Sequence, residues 1–392
     1  MAQPHIDETT SKADRFIVKR KLPLAIHLAG YRAAHATGFL KPLPINLTVS
    51  VTYSCPSRCL TCDIWQKKVD DLSVDEYGRI FPTLEQVPIW VTLSGGDQFI
   101  RSDLDEIVRL VKTQIDPKIV NIPMNGIITE RIHTLLPRIA ATTRGSQLVL
   151  NLSVDEIGTE HDRLRGAPGN WEKLLGVAEL IRDLKKTYPH VVLGVHTVIS
   201  KHNVHRIPEI EADARRIFQP DSYITEVAEN RVELKTMEKE ITPDPADYRR
   251  AIAHLKSAIL AHRSNVPVAR LVESLRLEYY DLAARVLEEN RQVIDCYAGS
   301  ASAHLAPDGN LWGCCVRAES LGNVRDYDYD FRTVWRGPSA DAFRASVRNH
   351  ECACPLANAS YTNLLLDAPS LARVSANMAG VSDLLASKEN SS

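Results

Sequence analysis

Six strand-like segments alternate with helical patterns along the chain, and this alternation restricts the fold more than any other feature. The first segment is LPINLTVSVTYSC (43–55), where apolar and polar residues alternate from Ile45 to Tyr53 with the period of a strand. Strands that alternate with helices pair in parallel. The sequence therefore predicts six β–α units, with the further strands near residues 88–96, 118–126, 147–155, 191–200 and 222–230.

The fourth segment, QLVLNLSVD (147–155), is polar on one face, where glutamine, asparagine, serine and aspartate occur. A parallel strand that helices cover on both faces would be apolar throughout. The polar face therefore indicates a sheet that curls around a polar group such as a cofactor. Its site is expected in the loops after the carboxyl ends of the strands.

Local signals predict where other elements begin or turn. Ser73 and Glu76 have the spacing of a capping box, and Ser102 with Asp105 is expected to open the next helix in a similar way. The segment HLAPDGNLWGCC (304–315) predicts a hairpin whose turn is supplied by its Asp-Gly pair.

Charge and hydropathy exclude several classes of protein. The net charge is −2, so no electric field favours nucleic acid, and no apolar run reaches the roughly 18 residues of a membrane span. The polar, acidic N-terminus argues against a secretory signal, so we expect a cytoplasmic location. The apolar and basic segment 15–40 predicts a helix that either packs on the fold or lies weakly on a membrane surface.

Eight cysteines gather towards the two ends of the chain, which indicates metal ligands rather than disulfides. Cys55, Cys59 and Cys62 have the spacing C-x3-C-x2-C directly after the first strand. Three thiolates can hold three irons of a cubane cluster and leave the fourth iron free for a substrate. The alternative is a zinc site that a distant histidine, such as His196 or His202, completes.

The cysteine loop follows the first strand, and the second strand ends in SGGD (94–97). In these features the sequence resembles the radical S-adenosylmethionine (SAM) superfamily. The resemblance implies a [4Fe–4S] cluster bound by the three cysteines and by SAM. It also implies that an electron from a flavodoxin- or ferredoxin-type reductant cleaves SAM to methionine and a 5′-deoxyadenosyl radical, which removes a hydrogen atom from the substrate.

The resemblance further implies contacts to SAM. Gly95 and Gly96 would let the backbone approach its methionine part, and Asp97, where relatives often carry glutamate, would contact its amino group. Ser153 and Arg165 match a pair that contacts the ribose and the carboxylate. The alternative is that the glycines form a simple turn and that Arg165 is a surface residue.

Thr61 stands where many relatives carry a bulky apolar residue before the third cysteine. Ile64 or Trp65 is therefore expected to shield the adenine instead. The alternative for Trp65 is a packed core residue.

The cysteines near the C-terminus show a second pattern. Cys296 and Cys314 enclose C-x12-G-x4-C, which resembles the start of a SPASM or twitch extension that binds additional [4Fe–4S] clusters. Five cysteines suit the twitch form with one auxiliary cluster, whose other ligands would be Cys352 and Cys354, although C-x-C replaces the usual C-x2-C. Cys315 is expected to be a spare buried thiol, the alternatives being an exchanged ligand or a hydrogen-atom donor. A zinc ribbon is the other interpretation of this group.

The predicted fold class is α/β: a partial (β/α)6 TIM-like barrel with a small C-terminal α+β twitch/SPASM-like cluster-binding domain. The expected parts are an N-terminal tail and helix (1–42), the barrel (43–235), a helical linker (236–290), the auxiliary cluster domain (291–366), and a C-terminal helix and tail (367–392).

The expected function is that of a radical SAM enzyme whose auxiliary cluster accepts an electron during oxidation or bond formation. The substrate is expected to be a small molecule, a lipid or a peptide. Glu226, Glu229 and Arg231 at the end of the sixth strand would bind its polar group or form an ion pair. Alternatives are a non-redox epimerase or peptide maturase, and a non-catalytic iron–sulfur or zinc sensor or electron carrier. The residues expected to contact SAM argue against the sensor and the carrier.

Overall fold

The computed structural model describes residues 24–263 and 267–379. Its strands are β1 (Asn46–Thr52), β2 (Trp90–Gly95), β3 (Ile119–Met124), β4 (Gln147–Ser153), β5 (Val191–Ile199), β6 (Ser222–Val227), β7 (Ser302–Leu305), β8 (Asn310–Trp312) and β9 (Ser320–Asn323). Its first seven helices are α1 (Leu24–Thr37), α2 (Val74–Ile80), α3 (Leu104–Leu110), α4 (Thr129–Thr142), α5 (Thr159–Arg165), α6 (Asn170–Thr187) and α7 (Ile207–Phe218). The others are α8 (Pro245–Ala261), α9 (Pro267–Glu289), α10 (Phe331–Trp335), α11 (Pro338–Arg348), α12 (Ala357–Leu366) and α13 (Ala368–Met378).

The strands form one open sheet of nine in the order β6-β5-β4-β3-β2-β1-β7-β8-β9. Strands β1 to β6 pair in parallel with helices between them, which confirms the partial barrel and all six predicted strands. Strand β7 pairs in parallel with the other edge of β1, and β8 and β9 add antiparallel strands. The predicted hairpin is therefore confirmed, and it continues the barrel's own sheet.

The sheet has one apolar face and one polar face. Leu47, Val49 and Val51 of β1 are completely buried in the main hydrophobic core, whose burial supplies most of the driving force for folding. The opposite face carries hydrogen-bonded side chains: Nδ2 of Asn151 donates to Oδ1 of Asn121 at 2.8 Å. The sheet thus has the polar inner face that the fourth segment predicts.

A close approach on the inner face requires a glycine. Gly194 of β5 lies opposite Asn151 of β4 in the register of the sheet. A Cβ atom at Gly194 would lie 1.8 Å from Oδ1 of Asn151. The amide of Asn151 therefore occupies the space of the missing side chain.

Helix α12 lies against the same polar face. Asn358 of α12 donates to Oγ1 of Thr48 at 2.7 Å, and Asn46 donates to Oδ1 of Asn358 at 3.0 Å. The C-terminal part of the chain therefore contacts the inside of β1 as well as extending the sheet at its edge.

Helix α1 packs on the fold. Leu28 and Tyr31 form a buried cluster with Tyr297 and Leu366, which supports the packing interpretation for the described part of segment 15–40. Residues 15–23 and the polar chain ends lie outside the described residues, as does the end of the predicted C-terminal helix after Ala379. Within residues 24–263 and 267–379, no helix has both the length and the apolar character that crossing a membrane requires.

The two helix-start predictions have opposite outcomes. Ser73 and Glu76 form the predicted capping box, because each side chain bonds the other residue's backbone N–H. The prediction for Ser102 is wrong: Asp103 is the N-cap of α3, and its side chain makes no capping bond. The carboxylate of Asp103 instead accepts from the guanidinium of Arg101 at 2.7 and 2.8 Å.

We predict that Ser73→Ala lowers the free energy of unfolding by about 1 kcal/mol, because the Glu76 backbone N–H loses its acceptor. Ser102→Ala is the matched control and is expected to change stability by less than about 0.5 kcal/mol. Anaerobic denaturant unfolding of both variants measures the difference. Equal losses in the two variants would contradict the assignment of the cap.

Candidate metal and cofactor sites

The three-cysteine loop is fixed to the C-terminal end of α5 by backbone contacts. Arg58 N donates to the carbonyl of Arg165 at 3.1 Å, and Leu60 N donates to the carbonyl of Leu164 at 2.9 Å. Gly166 ends the helix with a φ of +55°, and a Cβ atom there would lie 2.3 Å from the carbonyl oxygen of Arg58. Only glycine fits this position without moving the loop.

The three thiols of the loop are partly buried in one shared environment. Burial raises the pKa values of Cys55, Cys59 and Cys62, that of Cys62 to about 12, and the charge of Cys59 raises the pKa of Cys62 further. The positive charge of Arg165 acts in the opposite direction on all three. A metal that binds these thiols must displace their protons, and Arg165 favours the resulting thiolates.

Separation of the thiols distinguishes a cluster from a single ion. Tetrahedral zinc, with Zn–S bonds of about 2.3 Å, brings its sulfur ligands to about 3.8 Å from one another. Among the described residues, neither the three thiols of the loop nor any three of the C-terminal thiols lie within 4.8 Å of one another, and no histidine completes such a group. His196 instead lies 3.9 Å from Glu226. The described thiols are therefore not gathered as closely as a single zinc ion requires.

The SGGD segment packs directly on the backbone that leads into the loop. Gly96 N donates to the carbonyl of Thr52 at 2.7 Å, and Asp97 N donates to that of Ser54 at 2.9 Å. A Cβ atom at Gly95 or at Gly96 would lie 2.2 Å from one of these two oxygens. Both glycines are therefore required for this backbone approach, independently of any ligand that binds there.

Asp97 carries an unsatisfied buried atom. The residue is 2% exposed, and its Oδ1 accepts from Phe99 N at 3.0 Å. Oδ2 has no hydrogen-bond partner among the described residues. Burial raises the pKa of this carboxyl group, and the side-chain amide of Asn125, which lies nearby without meeting the geometry of a hydrogen bond, acts in the opposite direction. A buried carboxylate oxygen without a donor is costly, so the position fits a ligand that brings an N–H group.

The side chain of Arg165 is only 13% exposed, which excludes the surface alternative. Its Nη1 donates to Oδ2 of Asp155 at 2.9 Å, and Oδ1 of Asp155 accepts from Val198 N at 2.9 Å. Nε of Arg165 has no partner in the described part of the chain. Ser153 ends β4 in register with His196 of β5, on the polar inner face. The sequence did not reveal Asp155 as the residue that orients Arg165.

Trp65 and Ile64 differ in their surroundings. The guanidinium of Arg58 lies 4.0 Å from the ring centroid of Trp65, and the indole N–H has no partner within the described residues. Ile64 is buried with Tyr53 and Trp312 and packs on the cysteine loop. The half-buried Trp65 is therefore not a fully packed core residue.

The four cysteines expected to hold the auxiliary cluster come together. Burial raises the pKa values of Cys296 and Cys314, that of Cys314 to about 12, and the charges of Cys296 and Cys352 act on Cys314. Burial also raises the pKa of Cys354, with Cys296 and Cys314 nearby. Arg317 lies beside the group, with Nη1 at 4.0 Å from Sγ of Cys352.

Residues at the end of β6 form a buried charge network. Arg231 donates from Nε to Oε1 of Glu229 at 3.1 Å and from Nη2 to Oε1 of Glu226 at 3.4 Å. These contacts are the ion pair that was expected as the alternative to binding a polar group of the substrate. Oε2 of Glu229, however, has no partner among the described residues, and burial raises the pKa of Glu229 to about 7. The network therefore retains one open acceptor.

Comparisons with known proteins identify two regions of the chain. A sequence model of the radical SAM superfamily matches residues 49–214. A model of an iron–sulfur cluster-binding domain, SPASM, matches residues 296–355. Together they mean that the chain takes SAM, a [4Fe–4S] cluster on a cysteine motif and an auxiliary iron–sulfur cluster, as the sequence predicts.

Curated relatives are distant in sequence. The AdoMet-dependent heme synthase of Methanosarcina barkeri is 23% identical over 319 residues, which are 77% of this chain and 84% of the relative. The subtilosin biosynthesis protein AlbA of Bacillus subtilis is 21% identical over 74% of this chain and 59% of its own length.

Solved structures support the fold. Streptococcus suis SuiB bound to S-adenosylmethionine has a TM-score of 0.58 at 14% identity, over 86% of this chain and 77% of that chain. The structure of SuiB bound to its precursor peptide SuiA has the same TM-score over 88% of this chain and 75% of that chain. At this identity the likeness concerns the fold alone.

We predict that Gly166→Ala reduces the iron bound by the N-terminal cysteine loop, because the new methyl group collides with the backbone of Arg58. Gly169→Ala is the matched control: its φ of +74° is equally left-handed, but no atom lies within 4 Å of the added Cβ. Iron analysis with electron paramagnetic resonance measures each cluster after reconstitution. If both variants lose the same amount of N-terminal cluster, backbone strain rather than the collision is responsible.

Proposed function

Because the chain belongs to the radical SAM superfamily and carries a C-terminal SPASM domain, we propose that it oxidises an organic substrate, or forms a bond in it, after removing one hydrogen atom. The observation that carries the proposal is the unpartnered Oδ2 of Asp97, buried at the end of the glycine pair and beside the three-thiol loop. When bound, the cluster and SAM supply the 5′-deoxyadenosyl radical. The residues of the chain hold and orient these groups.

Cys55, Cys59 and Cys62 would hold the cluster and leave one iron for SAM. The backbone at Gly95 and Gly96 would face the methionine part. The free Oδ2 of Asp97 would then accept a hydrogen bond from the amino group of SAM.

The other SAM contacts follow from the remaining free donors. Arg165 would meet the carboxylate of SAM through Nε, since Asp155 already occupies its Nη1. Ser153 at the end of β4 would bind the ribose. The half-buried Trp65 would cover the adenine.

Cys296, Cys314, Cys352 and Cys354 would bind a single auxiliary [4Fe–4S] cluster. Four cysteine ligands saturate a cluster, so it exchanges electrons rather than binding substrate. The assignment as electron acceptor follows from this saturation. An external one-electron reductant would supply the electron that reduces the N-terminal cluster.

The substrate is proposed to be a peptide or a small molecule with a polar hydrogen-bond donor. Among relatives, SuiB is bound to a precursor peptide and AlbA is named for bacteriocin biosynthesis, whereas the first relative is named a heme synthase. In this chain Oε2 of Glu229 is the open acceptor, and Arg231 fixes the rest of that carboxylate. Such an acceptor selects an N–H or O–H group.

The proposed division of the chain is a barrel over residues 43–235, a helical linker over 236–290 and an auxiliary cluster domain over 291–366. Strand β7 pairs with β1, so the barrel and the auxiliary domain share one sheet. This continuity holds the two proposed cluster sites in a fixed relation.

We predict that the anaerobically reconstituted protein, reduced with dithionite, releases 5′-deoxyadenosine from SAM and contains about eight irons per chain. Replacing Cys55, Cys59 and Cys62 by alanine is expected to abolish the release and to leave about four irons. Replacing Cys296, Cys314, Cys352 and Cys354 is expected to leave the release intact, because SAM binds the other cluster. No 5′-deoxyadenosine from protein with both clusters intact would refute the proposed function.

We predict that Asp97→Asn weakens SAM binding by about 10–100-fold, since a hydrogen bond to a charged group is worth about 1.5–3 kcal/mol. Equilibrium dialysis with labelled SAM on the reconstituted, oxidised protein measures the Kd. Asp183→Asn on the surface of α6 is the control and should bind SAM like the parent protein. An unchanged Kd in Asp97→Asn would remove Asp97 from the SAM site.

A further inference from the structure

A second group of potential ligands lies outside both cysteine sets. Oxygen of Glu233, Nε2 of His304 and Sγ of Cys315 all lie within 4.8 Å of one another. The three residues are 5%, 4% and 8% exposed, respectively. They come from the loop after β6, from β7 and from the turn after β8. We propose that Glu233, His304 and Cys315 bind one divalent metal ion, and that their mixed O, N and S donors select zinc.

The geometry already matches one edge of a metal site. Nε2 of His304 lies 3.2 Å from Oε1 of Glu233. Two ligands bound to zinc at about 2.0–2.1 Å with tetrahedral angles lie about 3.3 Å apart. Oγ of Ser50 lies 2.9 Å from each of these two atoms, where it is placed to support a fourth ligand. An ion therefore needs only a small approach of the sulfur.

Other contacts hold the ligands in place without the ion. The ring of His304 packs on Trp312 with centroids 5.1 Å apart. Glu233 N donates to the carbonyl of Cys315 at 3.3 Å, and Val232 N donates to that of Val316 at 2.9 Å. Because folding brings the three donors together, binding the ion requires little further ordering.

The charges around Glu233 and the unbonded thiol of Cys315 also favour a cation. Arg231 pairs with Glu226 and Glu229, so Glu233 has His304 rather than the arginine as its ion-pair partner. Cys315 forms no disulfide, and within the described residues its Sγ has no hydrogen-bond partner. A divalent ion supplies positive charge to buried carboxylates and a partner for the sulfur.

The site would connect the barrel to the auxiliary domain. Ser50 lies on β1 and His304 on its neighbour β7, while Cys315 follows the proposed cluster ligand Cys314 directly. The zinc ion would thus fix the backbone at Cys314 against the barrel. Its role is positioning, and Cys315 is a zinc ligand rather than a spare thiol.

Zinc analysis and zinc K-edge X-ray absorption on the reconstituted full chain test the proposal, since iron does not contribute at that edge. Protein expressed with added zinc is expected to retain about one zinc per chain after reconstitution. Its first shell is expected to show one sulfur at about 2.3 Å and nitrogen or oxygen ligands at about 2.0–2.2 Å. Less than about 0.1 zinc per chain, or a shell of three or four sulfurs from zinc in a cysteine cluster site, would overturn the proposal.

Variants place the ion at these residues. Cys315→Ala and His304→Asn are each expected to lose at least tenfold in zinc content while both clusters keep their iron. His190→Asn, a half-buried histidine elsewhere in the fold, is the control and should keep its zinc. If His304→Asn does not fold, Cys315→Ala decides, because it removes only a small side chain. Full zinc occupancy with an unchanged sulfur shell in Cys315→Ala would exclude the site. Release of 5′-deoxyadenosine is measured separately, so failure here leaves the proposed function untouched.

Discussion

Close backbone contact at the carboxyl ends of β1 and β2 is the constraint on which the rest of the site depends. Gly95 and Gly96 meet the carbonyls of Thr52 and Ser54 at distances that exclude any Cβ atom. Gly166 does the same against Arg58 from the end of α5. Three glycines thus clamp the cysteine loop from two sides through main-chain contacts. Because backbone contacts fix the loop, its three thiols are not needed to stabilise it and are available to bind a metal.

The two cysteine sites are coupled through the sheet rather than through a flexible linker. Strand β7 continues the sheet at β1, and α12 returns to the inner face of that strand through Asn358. The helices α8 and α9 intervene in sequence, but the sheet itself joins the barrel to the C-terminal hairpin. A substrate between the sites would therefore meet both clusters at fixed distances, which suits transfer of an electron after removal of a hydrogen atom.

Sequence patterns predict the parts of this structure that repeat or that use rare residue types. The alternation of strands and helices predicts the six parallel strands, and the spacing of seven cysteines predicts two groups of thiols. Contacts between residues that are distant in sequence have no corresponding local pattern. Asp155 holds Arg165, and Asp103 turns to Arg101 instead of capping α3, because folding provides partners that local spacing cannot show. His304 and Glu233 look like ordinary residues until β7 brings them beside Cys315.

The distances between potential ligands then separate two kinds of metal chemistry in one chain. A single ion draws its donors to within about 4 Å of one another, whereas an iron–sulfur cubane separates its cysteines by the width of the cluster. Neither described set of cluster cysteines has three donor atoms within 4.8 Å of one another, but Glu233, His304 and Cys315 do. The ligand types agree, because sulfur alone suits iron–sulfur clusters and mixed donors suit zinc. Adjacent Cys314 and Cys315 would then serve different metals, since Cys315 lies with Glu233 and His304 while the thiols of Cys296 and Cys352 act on Cys314.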